Sequence, residues 1–381
     1  MKNYRRHVLI YKILRFVLSP FFKLKFAFKY KPTCNLKPPY LVLCNHNTDY
    51  DPILLGISFP QFMYFVASEH IYRWGTASKL LNWCFSPIAR LKGTTDARTV
   101  MEVLRRLRAG FNICIFAEGN RSFNGLTCDI LPSTAKLVKA SGVSLVTFKL
   151  EGGYFTSPRW STTLRRGKMY GYAAGVYTAE QLKSMTVAEV DAIIKNDLYE
   201  DAYKRQESSP VRFVGKRLAE ELETALYLCP ACKRIGTLHS KDALLKCDCG
   251  LQAVYTEYGC LEGTGIQFST ITQWDVWQTQ ELLNSAQAAG EEPIVSDVEQ
   301  SLFRVDPGVS STLITKDALY MFKDRLTCGE YSFPLGEITD MAIYGQRTLV
   351  FSTDKGIHYE IKSDYPRSAI KYLLLFRHLK Q

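Results

Sequence analysis

Three short apolar runs constrain this chain more than any other feature: Tyr40–Cys44 (YLVLC), Phe111–Phe116 (FNICIF) and Val143–Leu150 (VSLVTFKL). Runs this short predict buried strands. Between them lie helical patterns, a basic amphipathic one over Ala97–Arg108 closed by Gly110 and another around Ser133–Ala140 stopped by Gly142. Strands alternating with helices predict an α/β domain with at least partly parallel strands.

The first run ends in Asn45-His46-Asn47-Thr48-Asp49-Tyr50-Asp51-Pro52. Histidine is the side chain suited to take a proton from an alcohol near neutrality, and a carboxylate on its other nitrogen fixes the tautomer. Asp51 is the expected orienter of His46, with Asp49 a competitor; alone, such a pair is equally at home as polar residues on a surface loop. The second run leads into Ala117-Glu118-Gly119-Asn120-Arg121-Ser122. Such a turn at a strand's carboxyl end places a guanidinium in the crevice where open α/β sheets bind ligands. Arginine recognises phosphate bidentately, and Gly119 permits close approach of the backbone. The bland reading is a turn with a surface ion pair.

Taken together, these residues resemble the glycerophospholipid acyltransferase family. Its His-x4-Asp motif is matched by His46 and Asp51, and Phe116–Ser122 is similar to its Phe-Pro-Glu-Gly-Thr-Arg-Ser motif. Ile88-Ala89-Arg90-Leu91-Lys92-Gly93 followed by Asp96-Ala97-Arg98 looks like the block between them. Ala117 and Asn120 depart from the third motif, and Ser144 stands where the fourth block carries proline. The resemblance covers about residues 31–200. It implies a glycerol-phosphate-acyltransferase-like domain in which His46 is the general base and Asp51 orients it. It further implies that Arg98, Glu118, Gly119, Arg121 and Ser122 bind a lysophospholipid or glycerol phosphate, that the stretch 60–66 helps admit acyl chains, and that acyl-CoA or acyl-carrier protein is the donor. The departures bear on the acceptor's headgroup more than on the chemistry, so an acceptor other than lysophosphatidic acid, as in phospholipid remodelling, is the alternative.

Charge is distributed unevenly. The net charge is +11, yet the first acidic residue is Asp49, and ten basic residues precede it, leaving 38 basic against 37 acidic beyond. A basic, apolar N-terminus on a neutral body points to an anionic membrane surface and argues against nucleic acid. Lys12, Arg15 and Lys23 interrupt every apolar run there, so a spanning helix is not expected. Residues 1–30 predict an amphipathic helix lying at the cytoplasmic face of a membrane, or packed on the protein's own core.

Seven of the eleven cysteines are scattered as small hydrophobes. The remaining four form Cys229-Pro230-Ala231-Cys232 and Cys247-Asp248-Cys249-Gly250, the spacing of a zinc ribbon that stabilises a small fold without doing chemistry; His239 or Cys260 is a possible substitute ligand. The expected division is 1–30 helix, 31–225 acyltransferase domain, 226–260 zinc ribbon, 261–300 helix and linker, and 301–381 a β-rich module ending in a helix, similar to PH or GRAM barrels. Residues 178–225 read as helical. Two other functions compete: a zinc-ribbon adaptor binding lipid or protein, and a hydrolase, for which the chain has no Gly-x-Ser-x-Gly elbow.

Overall fold

The computed structural model describes residues 3–31, 36–73, 75–90, 97–306 and 310–380. Cys34, one of the scattered cysteines, and Leu91, Lys92, Gly93 and Asp96 of the second block lie outside them. Contacts divide the chain into two compact units, one within Met1–Arg90, Asp96–Arg159 and Leu164–Val214, the other within Trp160–Thr163 and Gly215–Gln381.

In the first unit the chain runs α1 (Tyr4–Lys25), β1 (Lys29–Tyr30), β2 (Tyr40–Cys44), α2 (Asp51–Ser58), β3 (Met63–Ser68), α3 (Thr76–Phe85), β4 (Ile88–Arg90), α4 (Ala97–Arg108), β5 (Asn112–Phe116), α5 (Ser133–Ser141), β6 (Ser144–Glu151), α6 (Gly153–Thr156), β7 (Tyr170–Tyr177), α7 (Ala179–Ser184), α8 (Val187–Leu198) and α9 (Ala202–Ser208). The seven strands form one sheet in the order β1-β7-β6-β2-β5-β3-β4. The pairs β2–β6, β2–β5, β5–β3 and β3–β4 are parallel, and β7 returns antiparallel to β6. All five residues of β2 are buried because both faces of the sheet are covered. Leu41 and Leu43 pack with Val103 and Leu107 of α4, Val138 of α5 and Ile194 of α8. Tyr40, Val42 and Cys44 pack on the opposite face with Phe22 of α1 and Leu54 and Leu55 of α2.

Beyond the three expected strands the sheet contains β1, β3, β4 and β7. The stretch 60–66, expected to admit acyl chains, runs into β3, whose Met63 and Tyr64 are buried and whose later residues are partly buried. β7 was hidden by its glycines and tyrosines, which carry little apolar signal. The helical reading of 178–225 holds for α7 to α9, where capping boxes at Thr178 and Thr186 start two helices. It fails beyond Ser208, where the chain is irregular apart from a Val214–Arg166 bridge and a single turn at Leu222–Thr224.

α1 has one face packed on the protein's own core and one exposed apolar face. His7, Tyr11 and Phe22 are buried, and the Tyr11 hydroxyl donates to the carbonyls of Gly56 and Phe59. Leu9, Ile13, Phe16, Val17, Phe21 and Leu24 are exposed. Among the described residues no helix is long and apolar enough to cross a membrane.

The second unit contains a small antiparallel sheet of β8 (Leu238–Lys241), β9 (Leu244–Cys247), β10 (Gln252–Tyr255) and β11 (Leu261–Glu262), then α10 (Ile271–Ala288). α10 lies within the stretch 261–300 expected to hold a helix and linker. It packs back on the chain before the sheet: the Trp274 indole N–H donates to Leu228 O, and Gln278 bonds Tyr227 N and Ala225 O. The remainder is β12 (Val295–Asp306), β13 (Ser310–Met321), β14 (Arg325–Cys328), β15 (Tyr331–Pro334), β16 (Ile338–Tyr344), β17 (Thr348–Thr353), β18 (His358–Ser363) and α11 (Ile370–Leu379). These strands form an antiparallel meander, β15-β14-β13-β12-β18-β17-β16, in which the first strand pairs with the last. β12 starts within the expected linker; its charged, alternating sequence masked it. Leu302, Leu319, Phe351 and Ile361 form part of the interior with Tyr372 and Leu375 of α11.

Candidate active site

The carboxyl ends of β2, β4, β5 and β6 lie along one edge of the sheet, and each is followed by a candidate residue or its support. β2 leads to His46. Its Nδ1 is 2.9 Å from Asp51 Oδ2, and its ring stacks on Phe116, centroids 4.4 Å apart. Asp51 is fully buried at the start of α2, where a carboxylate suits the helix dipole and Pro52 suits the first turn. Asp51 also accepts hydrogen bonds from Asn47 N at 2.6 Å, Thr48 N at 2.8 Å and Thr48 Oγ1 at 2.6 Å. Four donors thus fix the carboxylate, which in turn fixes the ring. Asp49, the competing orienter, points elsewhere and pairs with Arg121 at 3.2 Å.

Gly119 follows β5 at φ +65°, and a Cβ there would lie 3.0 Å from Arg90 Nη1. Glycine is therefore required by conformation and by space. Arg90 ends β4, so the guanidinium beside this turn comes from Arg90. Arg98 is exposed on the first turn of α4. Arg121 is largely buried, and Arg159 Nη1 donates to its carbonyl at 3.0 Å. The Arg159 guanidinium stacks 4.3 Å over the Phe123 ring. Burial, then the charge of Arg121, pushes Arg159 down to about 9. Arg90 and Arg159 escaped the sequence reading; the position of Arg90 at a strand's carboxyl end was the signal available, whereas Arg159 lies in no motif.

Two expected substrate contacts face inward. Glu118 accepts from His46 N at 2.7 Å and from Cys128 N at 2.5 Å, one amide per carboxylate oxygen. Burial pushes its carboxyl up to about 8, against these two amides, which favour the anion. A carboxyl group so placed supports the His46 backbone. Ser122 Oγ accepts from Gly125 N at 2.9 Å and lies 3.2 Å from Asn124 Oδ1, holding its own turn.

In the second unit, Cys229, Cys232, Cys247 and Cys249 place their sulfurs within 4.8 Å of one another. The Cys229–Cys249 and Cys232–Cys247 separations are both 3.7 Å. These are far beyond a disulfide, about 2.05 Å, and suit a shared metal ion. Two tight turns aim the thiols: Lys233 N donates to Cys229 O and Gly250 N to Cys247 O. His239 is exposed beside Asp248, and neither it nor Cys260 joins the group.

No curated protein matches this sequence. Among solved structures, the 1-acyl-sn-glycerophosphate (LPA) acyltransferase PlsC from Thermotoga maritima is similar at 18% identity, over 49% of this chain and 79% of its own, with a TM-score of 0.40. The family model described as Acyltransferase matches residues 26–151, which span the His46–Asp51 pair, the Arg90 strand and the Glu118–Ser122 turn. These residues are the part of the chain that is similar to the acyltransferase family.

Proposed function

We propose that this protein transfers a fatty acyl group from acyl-CoA or acyl-carrier protein to the hydroxyl of lysophosphatidic acid or another lysophospholipid at a membrane surface. The observation that carries the reading is the His46 Nδ1–Asp51 contact of 2.9 Å at the sheet edge that also bears Arg90 and Arg121. With Nδ1–H turned to Asp51, Nε2 is the basic nitrogen. It takes the acceptor's hydroxyl proton as that oxygen attacks the thioester carbon. The tetrahedral intermediate collapses with cleavage of its C–S bond, and the imidazolium returns the proton to the departing thiolate. One C–O bond forms, one C–S bond breaks, and no protein nucleophile is consumed. Arg121 and Arg90 pair with the acceptor's phosphate; Arg90 takes the part expected of Arg98. Glu118 and Ser122 hold the backbone that presents these groups.

The exposed apolar face of α1, with Lys12, Arg15 and Lys23 alongside, suits an anionic bilayer surface. The four thiolates hold a structural zinc ion: Zn–S bonds of about 2.3 Å in a tetrahedron put sulfurs about 3.8 Å apart, close to the separations observed. Such a site has no open position and takes no part in acyl transfer. The order of the C-terminal strands and the helix that follows them support the reading of a PH-like module. The test is acyl transfer on liposomes with labelled acyl-CoA or acyl-carrier protein and a panel of lysophospholipids. Acceptor-dependent formation of diacyl product supports the reading. Release of free fatty acid whatever the acceptor would show a hydrolase instead.

A further inference from the structure

We infer that Glu200 is a positioning residue for the His46 loop, although it lies outside residues 26–151. The inference rests on the acyl-transfer reading and extends its machinery. Asn45 and Asn47 flank His46, and both are buried. Asn45 Nδ2 donates to Leu150 O at 2.8 Å and to Glu200 Oε2 at 3.3 Å. Asn47 Nδ2 donates to the same two acceptors, each at 2.9 Å. The amide hydrogens on either side of the base are thus divided between one backbone carbonyl and one carboxylate oxygen. The other oxygen, Glu200 Oε1, accepts from Arg205 Nε at 3.2 Å.

The backbone of Glu200 is itself anchored. Glu200 N donates to Thr127 Oγ1 at 2.6 Å, and Thr127 N to Glu200 O at 3.0 Å. Thr127 precedes Cys128, whose amide holds Glu118, and Glu118 holds His46 N. Two buried carboxyl groups therefore hold the loop, joined through residues 127 and 128. Local helix capping does not explain Glu200: that duty falls to Asp201, whose side chain accepts from Lys204 N. Gly153 completes the fit, since a Cβ there would lie 2.6 Å from Asn47 Cβ.

The experiment is steady-state acyl transfer by the full-length protein on liposomes, comparing wild type with Glu200→Ala, Glu200→Gln, Asn47→Ala and the Asn47→Ala/Glu200→Ala double variant. Misplacing the base by about 1 Å costs on the order of 10²-fold in rate, so Glu200→Ala should lower kcat by roughly 10–100-fold while acceptor KM stays within about twofold. Glu200→Gln, which keeps an acceptor oxygen, should recover part of that loss. The double variant should lose less than the product of the two single losses, because the residues share the Asn47–Glu200 contact. If Glu200→Ala does not fold, Glu200→Gln and Asn47→Ala decide. A lower Tm with kcat unchanged per folded molecule, or losses that multiply in the double variant, would overturn the inference alone. An inactive wild type would overturn the acyl-transfer reading, and this inference with it.

Discussion

The His46 loop and the four-cysteine site are both motifs of spaced residues, but they are assembled differently. The cysteines lie within 229–249 and are aimed by two local turns, so spacing alone names the whole group. At the other site, spacing names only His46 and Asp51. Their supports arrive from distant segments: Glu118 after β5, Leu150 from β6, and Glu200 before α9. A site closed by turns is legible locally, whereas a site closed by a sheet needs the strand order before its members can be named.

Four perturbations sharpen this contrast, from the largest effect down. Cys232→Ser, or a strong chelator, should remove a binding free energy on the order of 10 kcal/mol. Metal analysis should fall from one zinc per chain to none, and the Cys229–Cys249 region should lose its amide protection; full protection without metal would refute a structural ion. Asp51→Asn should lower kcat by roughly 10²–10⁴-fold through the loss of the oriented tautomer, with zinc content unchanged. Equal loss of zinc would mean that the variant had unfolded.

Gly119→Ala comes next, at about 1–2 kcal/mol for a left-handed alanine, read as a lower denaturation midpoint. Because its new Cβ crowds Arg90, acceptor KM should rise as well; an unchanged KM would separate Arg90 from the acceptor. The smallest effect is a slope. Glu118 sits near 8 in the folded chain against an ordinary 4.5, so the folded state keeps a proton that the unfolded chain releases. Stability should then fall as pH rises from about 5 to about 8, and Glu118→Gln should flatten that segment. An identical slope in the variant would place the titration elsewhere.

Much of the architecture was written in apolar runs. β2, β5 and β6 were visible because strands covered on both faces are predominantly apolar. β3 was not legible as a strand because an apolar run does not say which apolar environment it meets. β7 and β12 hid behind glycine, tyrosine and alternating charge, which suit strands covered on one side. At the site, His46, Asp51, Gly119 and Arg121 were readable from motif order. Glu118 and Ser122 had the right positions, but the direction of a side chain depends on which backbone amides the fold brings near it. Arg159 and Glu200 belong to no motif and became visible only through Phe123, Arg121 and the two asparagines they touch.

The central claim is that His46 is the base of an acyl-transfer site. The most direct measurement is acceptor-dependent acyl transfer by wild type and His46→Ala, prepared side by side with equal zinc content and Tm. The account predicts a loss of about 10²–10⁴-fold in the variant with acceptor binding retained. Equal rates from the two proteins would contradict it.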